Sequence, residues 1–129
     1  MNQIAVRTSA RRQMVAITSE IQRVVGEIGG NSTLCHVWVP HTTAAIVVNE
    51  NADPDVARDL LSAYEAMIPD VRFTHAEGNS DAHLLATLLG CSVTLPVAES
   101  RLCLGTWQGV FLVELDGPRQ RKVWLTCLP

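Results

Sequence analysis

The sequence predicts an α+β fold: a single compact domain in which a largely antiparallel sheet packs with about three helices. Two observations lead to this prediction. Short apolar segments of strand length recur along the chain and follow one another in hairpin-like order after residue 90. Three longer segments carry helical spacing with recognisable start and stop residues. The 129 residues suit one domain and no linker or internal repeat divides them, so residues 1–129 are assigned to a single domain.

The N-terminal part of the chain predicts two strands and a helix. The segments "QIAVRTS" and "QMVAI" alternate enough between polar and apolar residues to form strands joined by a turn at residues 9–12. The segment "TSEIQRVVGEIGG" predicts a helix that ends at Gly29-Gly30. Ser19, with Gln22 three residues later, matches a capping box at its start.

The middle of the chain predicts two more strands and a second helix. "TLCHVWV" and "AAIVVNE" are strands on either side of residues 40–43, and the second is apolar on both faces, as in a strand covered on both sides. "NADPDVARDLLSAYEAMIP" is a helix that Asp53 can cap, with Pro54 in the first turn.

The C-terminal part predicts a third helix and the remaining strands. Ser80 is expected to cap the helix "DAHLLATLL", which Gly90 ends. The strands that follow are "CSVTLPV", "RLCLG", "GVFLVEL" and "KVWLTCL".

Composition excludes several classes of protein. The apolar content of 47% with 18% charged residues is that of a globular protein. No signal peptide and no apolar run of about 20 residues is present, so we expect no membrane partner and a cytoplasmic location. No basic stripe interleaved with aromatic residues supports nucleic-acid binding. The four cysteines lie in apolar runs without a C-x-x-C pair, which favours free buried thiols over a disulfide framework.

The segment "THAEGNSDAHLL", residues 74–85, concentrates polar chemistry in one turn. It is either a surface loop or a metal or phosphate site. His83 falls in the first turn of the predicted helix, where the helix dipole favours the neutral imidazole that binds metals. The helix start after Ser80, together with the Asn79 and Ser80 side chains, is also suited to an anion.

His41 strengthens the metal hypothesis because it lies at the end of a predicted strand. A third imidazole beside His75 and His83 would complete a three-histidine site with an open position for water or substrate. Glu50 and Glu77 could orient ligands or act as the general base. A solvated strand end is the alternative for Glu50, and His36 is expected to be a packing or surface residue.

Two further segments could contact a ligand. "GTWQG", residues 105–109, is either a tight hairpin connection or a ligand loop. Arg119 and Arg121 could hold phosphate with their planar guanidinium groups, although an exposed arginine after a turn is often only solvated.

Three segments resemble the YjbQ family, also called the UPF0047 or secondary thiamine-phosphate synthase family. They are "PHTTAAIVVNENADPDVARDLL", "HAEGNSDAHLLATLLG" and "RLCLGTWQGVFLVELDGPRQRKV". The resemblance implies a compact α+β fold, a homotrimer with pockets near subunit boundaries, and a metal cluster. The implied metal ligands are His41, His75 and His83. The predicted substrate-binding residues are Thr42, Asn49, Asn79, Ser80, Thr106, Gln108 and Arg119, and the predicted catalytic residues are Glu50 and Glu77.

The resemblance also implies an activity: joining a pyrimidine diphosphate to a thiazole phosphate, which releases pyrophosphate and gives thiamine phosphate. Three imidazoles favour a divalent transition metal, with zinc as the first candidate, whereas pyrophosphate release usually uses magnesium. We therefore expect a metal-dependent enzyme acting on a small phosphorylated molecule. The alternatives are a non-catalytic trimeric module that binds a metal or phosphometabolite, and a structural trimer.

Overall fold

The computed structural model describes residues 2–129 and divides the strands between two sheets. The strands are β1 (Asn2–Arg7), β2 (Gln13–Ala16), β3 (Leu34–Trp38), β4 (Ala44–Glu50), β5 (Ser92–Ala98), β6 (Arg101–Leu102), β7 (Gln108–Glu114) and β8 (Gln120–Leu128). The helices are α1 (Thr18–Ile28), α2 (Pro54–Ala66) and α3 (Ser80–Leu89). One sheet has the order β1-β8-β3-β5-β6 and the other β2-β7-β4, with antiparallel pairing in both. The predicted α+β class is confirmed, with two sheets in place of one.

The three-stranded sheet is covered on both faces, as the apolar sequence of β4 predicts. Ile46 and Leu112 belong to the main core, which β1, β3, β5, β8 and α1 complete. Ala45 and Val113 belong to a second core cluster, which the buried face of α3 covers. Burial on both sides places β4 and β7 in the centre of the molecule.

The capping box predicted for α1 is wrong. Ile17 precedes the helix and provides no side-chain cap. The Gln22 amide instead donates to the Ser100 carbonyl oxygen at 3.0 Å, and its Oε1 accepts from the Leu102 N–H at 2.9 Å. A long-range partner at the β5–β6 turn has therefore replaced the local one.

The starts of the other two helices give one confirmation and one correction. Asp53 caps α2 as predicted, because its Oδ1 accepts from the Asp55 N–H at 2.9 Å. Ser80 is the first residue of α3, so its predicted capping role is wrong. Asn79 precedes the helix, and its carbonyl oxygen accepts from the N–H groups of Ala82 and His83.

The structure also bears on the predictions for the cysteines and for membrane-spanning segments. All four cysteines are free, but the prediction that each is buried is wrong for Cys91 and Cys103, which are exposed. None of the helices within residues 2–129 is long and apolar enough to cross a membrane.

Candidate functional site

A pocket of about 460 Å³ opens where the β3–β4 connection, the loop before α3 and the start of β8 meet. Its lining residues are Pro40, His41, Thr42, Thr43, His75, Glu77, Asn79, His83, Arg119 and Arg121. The pocket has two sides. We call the side formed by His41, Thr43 and Arg121 the sheet wall, and the side formed by residues 75–83 the loop wall.

The sheet wall rests on a buried ion pair. Arg121 on β8 is 4% exposed and Glu114 on β7 is 0% exposed. The Arg121 Nε lies 3.0 Å from both carboxylate oxygens of Glu114, and its Nη2 donates to the Thr43 hydroxyl at 2.9 Å. The Thr8 hydroxyl donates to the same carboxylate at 2.7 Å. A buried charge is tolerated only when it is paired and hydrogen-bonded, and this network satisfies both conditions.

His41 is held against β8 by its ring. Its Nε2 lies 2.9 Å from the backbone N–H of Lys122 and accepts a hydrogen bond from it. Burial lowers the pKa of His41, and the charge of Arg121 lowers it further. The ring is therefore neutral and carries its proton on Nδ1, because the other nitrogen is the acceptor.

The loop wall places two imidazoles side by side. The ring centroids of His75 and His83 are 5.5 Å apart and the ring planes meet at 78°. Glu77 is exposed beside them. Gly78 has a φ of +76°, a conformation that glycine adopts without steric cost, so the chain can turn here into α3.

An ion-pair cluster fixes the start of α3 relative to the sheets. The Asp81 carboxylate accepts from Arg12 at 2.5 Å and from Arg11 at 2.9 Å. Arg12 also donates to the Leu115 carbonyl oxygen at 2.9 Å. These contacts hold the first turn of α3, and with it His83, against the β1–β2 connection.

Asn79 connects the loop wall to the start of β8. Its Nδ2 donates to Asp116 Oδ2 at 2.9 Å, and Arg119 donates to the same oxygen at 2.9 Å. The Asn79 hydrogen bond is the main cause that lowers the pKa of Asp116, and the Arg119 hydrogen bond lowers it as well. Asn79 Oδ1 is buried and has no hydrogen-bond partner among the described residues. A buried acceptor without a partner at a pocket is suited to a donor from a ligand.

The structure separates the predicted site residues into two groups. Seven of them line the pocket: His41, Thr42, His75, Glu77, Asn79, His83 and Arg119. Ser80 begins α3 next to Asn79 and lies outside the lining set. The others, Asn49, Glu50, Thr106 and Gln108, lie at the opposite end of the β4–β7 ladder.

The strand register gives the separation of the two groups. Ala44 pairs with Glu114 near the pocket and Glu50 pairs with Gln108 at the far end. The six residue steps between them span about 20 Å at ~3.4 Å per step. The Gln108 side chain accepts from the Gly105 N–H at 2.9 Å, and this bond closes the "GTWQG" turn. The turn joins strands of different sheets, so its hairpin interpretation is wrong.

The donor set fits a metal ion only in part. Two imidazoles bound to one tetrahedral ion at ~2.0–2.1 Å have ring centroids about 5 Å apart, which agrees with His75 and His83. His41 does not fit as the third ligand in this arrangement, because Nε2 is an acceptor and Nδ1 carries the proton. Within residues 2–129, no group of three or more His, Cys, Asp or Glu side chains is placed to hold an ion.

Sequence reasoning missed two acidic residues that shape the site. Glu114 supports Arg121 from below, and Asp116 supports Asn79 and Arg119. The signal for Glu114 was present, because an acid inside the apolar segment "GVFLVEL" needs a basic partner. His36, predicted to be a packing or surface residue, lies on β3 with its Nδ1 3.1 Å from the Thr94 hydroxyl.

Known proteins similar to this chain come from bacteria and archaea. A sequence model of the family described as "UPF0047 protein YjbQ-like" matches residues 2–129. A UPF0047 protein of Methanocaldococcus jannaschii is 43% identical over 121 residues, 93% of this chain and 88% of that protein. YugU, a UPF0047 protein of Bacillus subtilis, is 40% identical over 124 residues, 95% of this chain and 94% of that protein.

Solved structures of other proteins share the fold of this chain. A crystal structure of a YjbQ/UPF0047 family protein from Clostridium acetobutylicum has a TM-score of 0.94 at 42% identity and covers 99% of this chain and 100% of that chain. A conserved hypothetical protein from Thermus thermophilus has a TM-score of 0.91 at 41% identity, with 99% and 100% covered. The chain belongs to the YjbQ/UPF0047 family.

Proposed function

We propose that the protein is an enzyme that acts on a small phosphorylated metabolite in the pocket between the two walls. The observation that carries the proposal is the presence of two guanidinium groups, those of Arg119 and Arg121, in the lining of the pocket. Guanidinium groups bind phosphate oxygens with paired, charge-assisted hydrogen bonds. The volume of about 460 Å³ is that of a small-molecule site.

In this proposal, different residues of the pocket bind phosphate, donate a hydrogen bond to an anionic oxygen and transfer a proton. Arg119 and the Nη1 group of Arg121 bind phosphate, since Nε and Nη2 of Arg121 are already engaged with Glu114 and Thr43. The neutral His41 ring donates its Nδ1–H to an anionic oxygen. Glu77, exposed at the mouth of the pocket, transfers the proton.

A kinetic comparison of two arginine variants tests the phosphate role. Arg119→Ala removes a charged hydrogen-bond donor, worth about 1.5–3 kcal/mol, so kcat/KM should fall by about 10- to 150-fold. Arg101→Ala, at an exposed position of β6, is the matched control and should retain the wild-type value. The assay is the formation of thiamine phosphate from the pyrimidine diphosphate and the thiazole phosphate, the activity that the resemblance implies. Equal rates for the two variants would contradict the phosphate role.

The proposal includes a divalent transition metal, with zinc first and magnesium as the alternative beside a phosphorylated substrate. His75 and His83 would hold it. A bound ion of this kind polarises a phosphoryl oxygen or a water molecule. Elemental analysis of tag-free protein tests this part: we expect about one metal per chain in wild type and none in His75→Ala/His83→Ala. His36→Ala should keep the metal, and the same metal content in all three proteins would remove the ion from the proposal.

We propose a homotrimer as the active form, because Glu50 and its neighbours are too far from the pocket of their own chain. The segment after α2 supports a contact between subunits, since Met67 is 59% exposed and Val71 54% exposed just before the loop wall. Light scattering should give the mass of three chains. Mixed trimers of Glu50→Gln and His83→Ala subunits should recover activity that each variant lacks alone. Failure to recover would show that Glu50 does not complete a neighbouring pocket.

A non-catalytic binding module is the second candidate, and the position of Glu50 favours it. Of the two predicted proton-transfer carboxylates, Glu77 alone belongs to the lining set. Glu77→Gln distinguishes the two functions: an enzyme should lose turnover with little change in phosphate affinity, whereas a binding module should show no turnover to lose. We propose the cytoplasm as the compartment for either function.

A further inference from the structure

Cys35 and Cys127 face each other across the two neighbouring strands β3 and β8. They are register partners in this antiparallel ladder, between the pairs Leu34–Leu128 and His36–Thr126. Both sulfur-bearing side chains lie against the main core. This direct opposition brings two oxidisable thiol groups together, and the proposed function does not use them.

Backbone hydrogen bonds show whether Cys35 and Cys127 form a hydrogen-bonded or a non-hydrogen-bonded pair of the antiparallel ladder. The Thr8 N–H donates to the Arg119 carbonyl oxygen, so odd-numbered residues of β8 direct their backbone groups towards β1. The Val39 N–H donates to the Cys91 carbonyl oxygen, so odd-numbered residues of β3 direct theirs towards β5. The backbone groups of Cys35 and Cys127 therefore point away from each other. The two residues form a non-hydrogen-bonded pair, in which the Cα atoms approach to about 4.5 Å.

That separation is compatible with a disulfide, which requires Cα atoms about 4.4–6.8 Å apart and side chains directed towards each other. The hydrogen-bonded positions of the same ladder are farther apart, at about 5.5 Å. Cys91 has no comparable partner, because the residue opposite it is Val39. Cys103 is exposed beyond the end of β6.

The two thiols differ in accessibility. Cys127 is partly exposed, whereas Cys35 is buried. Burial, and after it the adjacent Cys127 sulfur, raise the pKa of the Cys35 thiol to about 12. An oxidant therefore meets Cys127 first, and Cys35 reacts second.

We propose that Cys35 and Cys127 form a reversible redox site that joins β3 to β8 when the protein meets a small-molecule disulfide. The Cys127 thiolate attacks one sulfur of the oxidant, the oxidant's S–S bond breaks, and one small thiol leaves. Cys35 then attacks the Cys127 sulfur of the mixed disulfide, and the second small thiol leaves with the proton that Cys35 loses. Two protein thiols are oxidised to one disulfide and the oxidant is reduced to two thiols. The bond fastens the end of β8, the strand that carries Arg121.

Peptide mapping after treatment with oxidised glutathione tests the proposal. Trypsin cleavage after Lys and Arg places the four cysteines in four different peptides, residues 24–58, 73–101, 102–119 and 123–129. The folded wild-type protein should lose about 2 Da for the two thiol hydrogens and should give peptide 24–58 linked to peptide 123–129. Dithiothreitol should reverse both changes.

Variants of the other cysteines and of the pair supply the controls. Cys91→Ser/Cys103→Ser should form the same link as wild type, and Cys127→Ser should form no intramolecular link. Protein oxidised in denaturant should give several different links, which would show that the fold selects the pair. A Cys91–Cys103 link, a link between chains, or a glutathione adduct that stays on Cys127 of the folded protein would overturn the proposal.

Discussion

The two walls of the pocket are built in different ways. In the sheet wall, Arg121 is almost fully buried, as is its partner Glu114, and Thr8 after β1 and Thr43 in the β3–β4 connection hydrogen-bond to this pair. In the loop wall, His75 and Glu77 are exposed. Arg121 of the sheet wall uses Nε and Nη2 for contacts within the protein and keeps only Nη1 for a ligand, whereas the His75 and Glu77 side chains of the loop wall are open to a ligand.

This difference separates stability from chemistry within one site. A change in the sheet wall should alter the free energy of unfolding first, because it disturbs buried charges. A change in the loop wall should alter ligand binding first, because exposed side chains contribute little to stability.

Removing the buried guanidinium should have the largest effect on stability. Arg121→Met leaves the Glu114 carboxylate buried without its counter-charge, so the free energy of unfolding should fall by about 3–5 kcal/mol. Urea denaturation followed by circular dichroism measures the loss. His83→Ala in the loop wall should lose much less.

Two further variants sharpen this result. Arg23→Met breaks an exposed ion pair with Glu27 and should change the free energy of unfolding by no more than about 0.5 kcal/mol. Glu114→Gln/Arg121→Met removes both buried charges and should be more stable than Arg121→Met. A double variant no more stable than the single one would mean that the buried charge is not the cause of the loss.

The walls also differ in how far the sequence predicts them. The loop wall lies within a segment of nine residues, so "HAEGNSDAH" brings its candidate residues to notice together. The sheet wall and the network beneath it join residues that are far apart in sequence: Thr8 and Glu114 are separated by 106 positions, and Arg121 and Thr43 by 78. No local pattern encodes such a pair. The metal role of His75 and His83 stays a prediction, and the ring hydrogen bond of His41 sets that histidine apart from them.

Helix ends follow the same division between local and long-range contacts. The predicted roles of Asp53 and Pro54 at the start of α2 are confirmed, because both residues act within the first turn of that helix. Ser19 and Gln22 satisfied the local rule for a capping box, but Gln22 gained two hydrogen bonds at the β5–β6 turn. Sequence patterns predict a helix end reliably where the helix itself supplies the partner.

Three glycine-to-alanine changes, at Gly117, Gly78 and Gly26, should differ in stability according to the space and the backbone conformation at each position. At Gly117 a Cβ would lie 2.4 Å from the Ala10 carbonyl oxygen and 2.7 Å from Glu114 Cγ, so Gly117→Ala should lose about 1–3 kcal/mol. Gly78 in the loop wall has open space but a positive φ, so Gly78→Ala should lose about 1 kcal/mol. Thermal unfolding of the three variants gives the order.

Gly26 provides the control with the opposite sign. It lies in the interior of α1 with nothing near its Cβ position, so Gly26→Ala should stabilise the protein by about 0.5–1 kcal/mol. If Gly117→Ala were as stable as Gly26→Ala, the backbone at residue 117 could move away from Ala10, and the sheet wall would be less rigid than its contacts indicate.

The smallest effect is expected at Asp116, where the two walls meet. Asn79→Ala removes the main cause that lowers the pKa of Asp116, so that pKa should rise towards the ordinary carboxyl value of about 3.9. A carboxyl with a lowered pKa in the folded state adds stability above the pKa of the unfolded chain, and this stability is lost as the pH falls through the folded pKa. NMR titration of the Asp116 side-chain carbon measures the shift in wild type, Asn79→Ala and Arg119→Ala. Both variants should titrate at higher pH than wild type, with Arg101→Ala unchanged. An unchanged Asp116 in Asn79→Ala would mean that the Asn79 amide does not join the loop wall to β8 in solution.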